Sequence, residues 1–117
     1  MSAIDLGLRI AVIVPTFNRR ALFSRAVQSV LNQTTPAHDF LILDNHCTDG
    51  TDEDLLTLLK TRSETLRPKV HVFRESENLG ASMGMRYLFE KALELHPDWI
   101  WVMDDDAVAT PNALEEL

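Results

Sequence analysis

The sequence predicts an α/β fold in which about four parallel strands form one sheet flanked by helices. Four short apolar runs rich in β-branched or aromatic residues recur along the chain, and stretches with helical spacing separate them. Such alternation with continuously apolar strands calls for a parallel sheet covered on both faces by right-handed crossovers. Each apolar run also ends in a polar, glycine-bearing or acidic cluster, and ligands bind at that edge of a parallel sheet.

The elements follow in order. Arg9 to Val14 reads as the first buried strand, closing on Pro15-Thr16-Phe17-Asn18-Arg19. Leu22, Phe23, Ala26, Val27, Val30 and Leu31 then make one apolar helical stripe. Phe40 to Leu43 is the second strand, followed by Asp44-Asn45-His46 and a helix carrying Leu55, Leu56, Leu58 and Leu59 after Asp49-Gly50-Thr51. Val70 to Phe73 is the third strand, followed by Glu77-Asn78-Leu79-Gly80 and a helix carrying Met85, Leu88, Phe89, Ala92 and Leu93. Trp99 to Met103 is the fourth strand and runs into Asp104-Asp105-Asp106, with Trp99 and Trp101 expected to pack on one of its faces. Thr110-Pro111 reads as a cap and first residue of a helix that Glu115 and Glu116 barely begin, so the chain reads as the N-terminal part of a longer protein.

Composition bounds the function. The 117 residues suffice for one domain, and 45% apolar with 25% charged residues is ordinary globular content. A net charge of −7 argues against nucleic acid as partner, since phosphate binding draws on clustered Lys and Arg. Residues 1–38 hold Arg9, Arg19, Arg20 and Arg25 against Asp5, whereas the final stretch is acidic without a basic residue. A basic start and an acidic end suit an anionic ligand held with a divalent cation. A lone Cys47 and no signal-peptide pattern make cytoplasm the expected location. No apolar run approaches the ~20 residues of a membrane span, so any membrane contact at the inner face would be peripheral.

Three successive carboxylates repel one another unless solvated or neutralised, and a cation is the economical partner. In an extended chain Asp104 and Asp106 would point one way and Asp105 the other. Such a hard oxygen site suits Mg²⁺ or Mn²⁺ with few protein ligands; an acidic helix-capping turn is the alternative. His38, His46, His71 and His96 lack the paired spacing of a metal site and read as structural or surface residues, and Cys47 as a bystander.

Val12-Ile13-Val14-Pro15-Thr16-Phe17-Asn18-Arg19, Leu43-Asp44-Asn45 with Thr48-Asp49-Gly50-Thr51, Asn78-Leu79-Gly80, and Trp99 to Ala107 resemble the family 2 glycosyltransferases of Rossmann-like GT-A fold. The closest flavour is the rhamnosyltransferase and galactofuranosyltransferase branch, in which a DDD triplet replaces DXD. The resemblance implies transfer of a sugar from a UDP- or dTDP-linked donor to an acceptor hydroxyl with inversion, in cell wall or polysaccharide biosynthesis, with this chain as the nucleotide-sugar-binding half. It puts Pro15, Thr16, Asn18 and Arg19 around the nucleoside, Asp44 on the base ring, and Asn78 and Gly80 against the nucleotide. Asp104 would hold the ribose or share the metal, and Asp106 would bind Mn²⁺ or Mg²⁺; Arg86 is a further candidate for the diphosphate. The acceptor, a glycan or lipid-linked hydroxyl, and the catalytic base would belong to a later segment. Asp44 as a turn residue, and Thr16 or Asn18 as a helix cap, are the structural alternatives. Ala81-Ser82-Met83-Gly84 departs from the more glycine-rich loop of relatives.

Two other functions fit parts of the pattern. Asp104-Asp105-Asp106-Ala107-Val108 also matches the D-x-D-x-(T/V) motif of haloacid-dehalogenase-like phosphotransferases, but only nine residues follow Val108. A non-catalytic nucleotide-binding module is the second. An exposed sheet edge would allow a second copy to pair as a homo-oligomer.

Overall fold

A computed structural model describes residues 3–117. Strands β1 (Ile10–Thr16), β2 (Asp39–Asp44), β3 (Lys69–Arg74) and β4 (Trp99–Val102) alternate with helices α1 (Arg20–Leu31), α2 (Thr51–Thr61) and α3 (Ala81–Leu93). All pairings are parallel, and the strand order is β3-β2-β1-β4. The chain therefore leaves β1 in one direction and returns through α3 to its other side, which creates a switch point between β1 and β4.

The apolar residues divide between two faces because side chains alternate along each strand. Val12, Val14, Phe40 and Ile42 face α1 and α2, where Phe23, Val27, Val30 and Leu55 complete one core. Ala11, Ile13, Leu41 and Leu43 face α3 and meet Leu88 and Ala92. Gly84 brings α3 close to the sheet, since a Cβ there would lie 3.2 Å from Leu43 Cδ2 and 3.3 Å from Asn45 Nδ2.

Only β1 and β2 are buried throughout, apart from half-buried Pro15. The expectation that all four strands are buried is corrected at β3 and β4, which are the sheet edges and only partly covered. Trp101 packs on the α1–α2 core, but Trp99 is 52% exposed, so the two indoles do not share one packed face. Leu56, Leu59, Phe89 and Leu93 likewise remain exposed on the helices.

Residues 111–116 form turns rather than the expected helix. Buried Gln33 fastens this segment: its Nε2 donates to Thr110 O at 2.7 Å and its Oε1 accepts from Leu114 N at 3.0 Å. Leu114 is fully buried as a result. Among the described residues, no helix is long and apolar enough to cross a membrane.

Candidate functional site

A cavity of about 490 Å³ opens at the carboxyl edge of β1, β2 and β4. Pairing of β1 with β4 stops at Ile13, so Pro15 falls beyond that ladder and needs no donor there. The two chains part above this rung. Pro15, Thr16, Phe17 and Arg19 line one wall, Asn78, Gly80, Ala81 and Met85 another, and Asp104, Asp105 and Asp106 a third.

The acidic turn departs from extended geometry. Strand β4 ends at Val102, and Ala107 N donates to Asp104 O at 3.1 Å, which closes a turn over the triplet. Strand alternation thus does not apply, and the expectation that Asp105 points away is corrected. Thr16 Oγ1 donates to Asp105 Oδ2 at 3.1 Å, and all three acids border the cavity. Arg19 supplies their countercharge, with Nη1 3.3 Å from Asp106 and 3.6 Å from Asp105.

Asn78 Oδ1 accepts from Gly80 N at 2.8 Å, and Gly80 has φ 81° and ψ 166°, a conformation that favours glycine. Gly80 is followed directly by α3, whose first turn carries no acid, so its unpaired N–H groups favour an anion in the cavity. Asn45 fixes this loop: its Oδ1 accepts from Leu79 N at 2.7 Å and its Nδ2 donates to Gly80 O at 3.4 Å. Its role went unread in the sequence, although its position just after β2, on the face that α3 covers, was the available signal.

The structure thus brings Pro15, Thr16, Arg19, Asn78, Gly80, Asp104 and Asp106 to one cavity. Asn18 and Asp44 stand outside its lining. Asn18, with φ 48°, ties the loop after β1 to the loop after β2, its Oδ1 accepting from Thr48 N at 2.7 Å and its Nδ2 donating to Thr48 Oγ1 at 3.4 Å. Neither Thr16 nor Asn18 caps α1, since the first helical N–H, that of Arg20, is bonded instead by Asp49 Oδ2 at 2.9 Å. Arg86 is turned to Glu90 at 3.1 Å on the exposed face of α3 and does not line the cavity.

Asp44 occupies the last rung of β2, in register with Thr16 of β1 and Arg74 of β3. It is 1% exposed, and its Oδ1 accepts from Cys47 N at 2.8 Å. Burial pushes the Cys47 thiol up to about 11, so it stays protonated at neutral pH and acts as a packed donor toward Thr16 O.

A divalent cation fits this chemistry. Among the described residues, no three His, Cys, Asp or Glu side chains converge into a closed metal cage. The carboxylates of Asp104 and Asp106 that line the cavity are nonetheless hard oxygen donors of the kind that Mg²⁺ or Mn²⁺ shares with phosphates.

The fold is that of GT-A glycosyltransferase domains. The chain belongs to the family described as glycosyl transferase family 2, whose model matches residues 11–117. It is 29% identical to the poly(ribitol-phosphate) beta-N-acetylglucosaminyltransferase TarP of Staphylococcus aureus strain N315, over 93% of this chain and 32% of that protein. Among solved structures, the mannosyltransferase PcManGT from Pyrobaculum calidifontis, in complex with GDP-Man and Mn²⁺, superposes with TM-score 0.71 at 23% identity, over 86% of this chain and 28% of that one. S. aureus TarS 1-349 in complex with UDP-GlcNAc superposes with TM-score 0.75 at 20% identity, over 93% and 30%. The chain spans about a third of the length of the curated relatives it matches.

Proposed function

We propose that this chain is the donor-binding part of a divalent-metal-dependent glycosyltransferase that takes a UDP- or dTDP-linked sugar and transfers it with inversion to a glycan or lipid-linked hydroxyl. The observation that carries the reading is the single cavity where the acidic turn, Arg19 and the start of α3 meet. Arg19 and the helix N–H groups there suit phosphate, and the acids would suit a divalent metal that neutralises it. The Asp-Asp-Asp triplet supports the rhamnosyltransferase and galactofuranosyltransferase branch. Relatives that include a poly(ribitol-phosphate) beta-N-acetylglucosaminyltransferase and a hyaluronan synthase support a place in polysaccharide biosynthesis.

Asp106 and Asp104 would hold the cation, which supplies Lewis-acid stabilisation of charge on the leaving nucleoside diphosphate. Arg19 would exchange its carboxylate partners for diphosphate oxygens, and Thr16 would keep Asp105 in place. Asn45 and Asn78 would hold the Gly80 loop open to the nucleotide. The acceptor oxygen attacks the anomeric carbon as the bond to the diphosphate breaks, and its proton passes to a base assigned to no residue of this chain.

Calorimetric titration with UDP, dTDP and GDP, with and without Mn²⁺, tests the reading. The expected result is metal-dependent binding of UDP or dTDP that Asp106→Ala weakens at least 30-fold, about 2 kcal/mol, with the circular dichroism melt unchanged. Metal-dependent binding that survives Asp106→Ala in full refutes the assignment.

A further inference from the structure

We infer that the end of α2 and the loop leading into β3 form a docking surface for an anionic lipid bilayer. The inference stands apart from the donor-binding reading, because it rests on the other end of the sheet. Lys60 lies in the last turn of α2, Arg62 and Arg67 in the loop, and Lys69 opens β3 in register with Asp39 at the start of β2. The donor cavity lies at the opposite, carboxyl edge.

Charge singles out this stretch. Among the described residues, Arg9, Arg19, Arg20, Arg74, Arg86 and Lys91 are each paired with a carboxylate, whereas the other five cations are not. Four of those five fall between residues 60 and 69, where Glu64 is the only acid. Arg62 braces the loop, its Nη2 donating to Pro68 O at 2.9 Å. Lys60, Arg67 and Lys69 are exposed. The chain as a whole carries a net charge of −7, so an anionic surface repels the rest of it and attracts this end.

Apolar exposure identifies the partner. Helix α2 buries Leu55 in the core, but Leu56 and, in the loop, Leu66 are each more than half exposed, and Leu59 is exposed as well. A second cleft of about 490 Å³ opens among Leu59, Arg62, Leu66, Lys69 and Val70. Cations around exposed leucines match a bilayer interface, where ammonium and guanidinium groups meet lipid phosphates and the leucines enter the acyl boundary. A polyanion with no apolar part would satisfy the charges and leave the leucines in water. Docked by this end, the chain keeps its donor cavity turned to the aqueous side.

The test is co-sedimentation of the wild-type chain with vesicles of phosphatidylcholine, alone or with about one-third phosphatidylglycerol. Binding is expected to the anionic vesicles only, and about 0.5 M salt should release it. Arg67→Gln with Lys69→Gln should weaken binding about thirtyfold. Leu66→Ser, which leaves the charge unchanged, should weaken it about fivefold. Arg25→Gln with Arg86→Gln removes the same charge from exposed positions on α1 and α3 and should leave binding within about twofold of wild type. The lipid surface is overturned if neutral vesicles bind equally, if the second pair of substitutions weakens binding as much as the first, or if Leu66→Ser has no effect. Absence of vesicle binding by the wild-type chain overturns it too, and leaves the donor site standing.

Discussion

Strand β2 carries a buried aspartate at each end, and the two are treated differently. Asp39, at the amino end, is 1% exposed and has both oxygens bonded, to Arg9 Nη2 at 2.6 Å and to His71 Nε2 at 2.9 Å. Asp44, five positions on and equally buried, has one oxygen bonded to Cys47 N and the other without a hydrogen bond. A buried acceptor without a hydrogen bond costs about 1–3 kcal/mol, which the ion pair with Arg74 offsets in part; at the amino end the atom so left is a donor, Arg9 Nε, and no carboxylate oxygen. The amino-end carboxylate is thus closed by its own partners, whereas the carboxyl-end one keeps an oxygen without a hydrogen bond.

Substitutions at the two ends should therefore separate stability from binding. Asp39→Ala strips the partner from Arg9 and His71 and should lower the unfolding free energy by about 2–3 kcal/mol in urea titration, with UDP affinity little changed. The value sits below the range for a fully buried pair because the Arg9 side chain is 43% exposed and can be solvated. Asp44→Asn keeps the acceptor for Cys47 N, so its stability cost should stay under about 1 kcal/mol. Loss of the carboxylate on the base edge should weaken UDP about tenfold, or 1.4 kcal/mol. The contrast collapses if Asp44→Asn destabilises the fold more than Asp39→Ala does.

The same contrast marks what could be read in advance. Helices α1, α2 and α3 and the central strands were legible because local apolar spacing alone encodes them. The exposure of β3 and β4 was not, since it depends on the order β3-β2-β1-β4, which no local pattern contains. Within the site, the strand-end positions of Thr16, Asn78 and Asp104 followed from the alternation of elements. The inward turn of Asp105 did not, because β4 stops at Val102 and the backbone turn replaces strand parity. Asn18 and Asn45 have partners 30 and 35 residues away, at Thr48 and Gly80, and such loop-to-loop ties lie beyond any window of sequence spacing. The pairing of Arg9 and His71 with Asp39 was missed for the same reason.

The smallest expected effect lies at the amino end again, and it is one of pH. His38 Nδ1 accepts from Ile10 N at 3.2 Å, a bond that requires the unprotonated nitrogen. Burial, and then the nearby charges of Arg67 and Arg9, hold its pKa below the usual value of about 6.5. The unfolded chain therefore binds a proton at His38 at a higher pH than the folded chain does. Below about 6.5 the unfolded state takes up more protons, and stability falls with pH until the folded-state pKa is passed. His38→Asn places an amide oxygen near the Nδ1 position without a titrating group. Its urea midpoint should show a shallower decline between pH 7 and pH 5 than that of the wild-type chain, while UDP affinity at pH 7 stays the same. An equal decline in both proteins would move the pH-sensitive contact away from this rung, and a parallel loss of UDP binding would mean that the two ends of the sheet are not energetically separate.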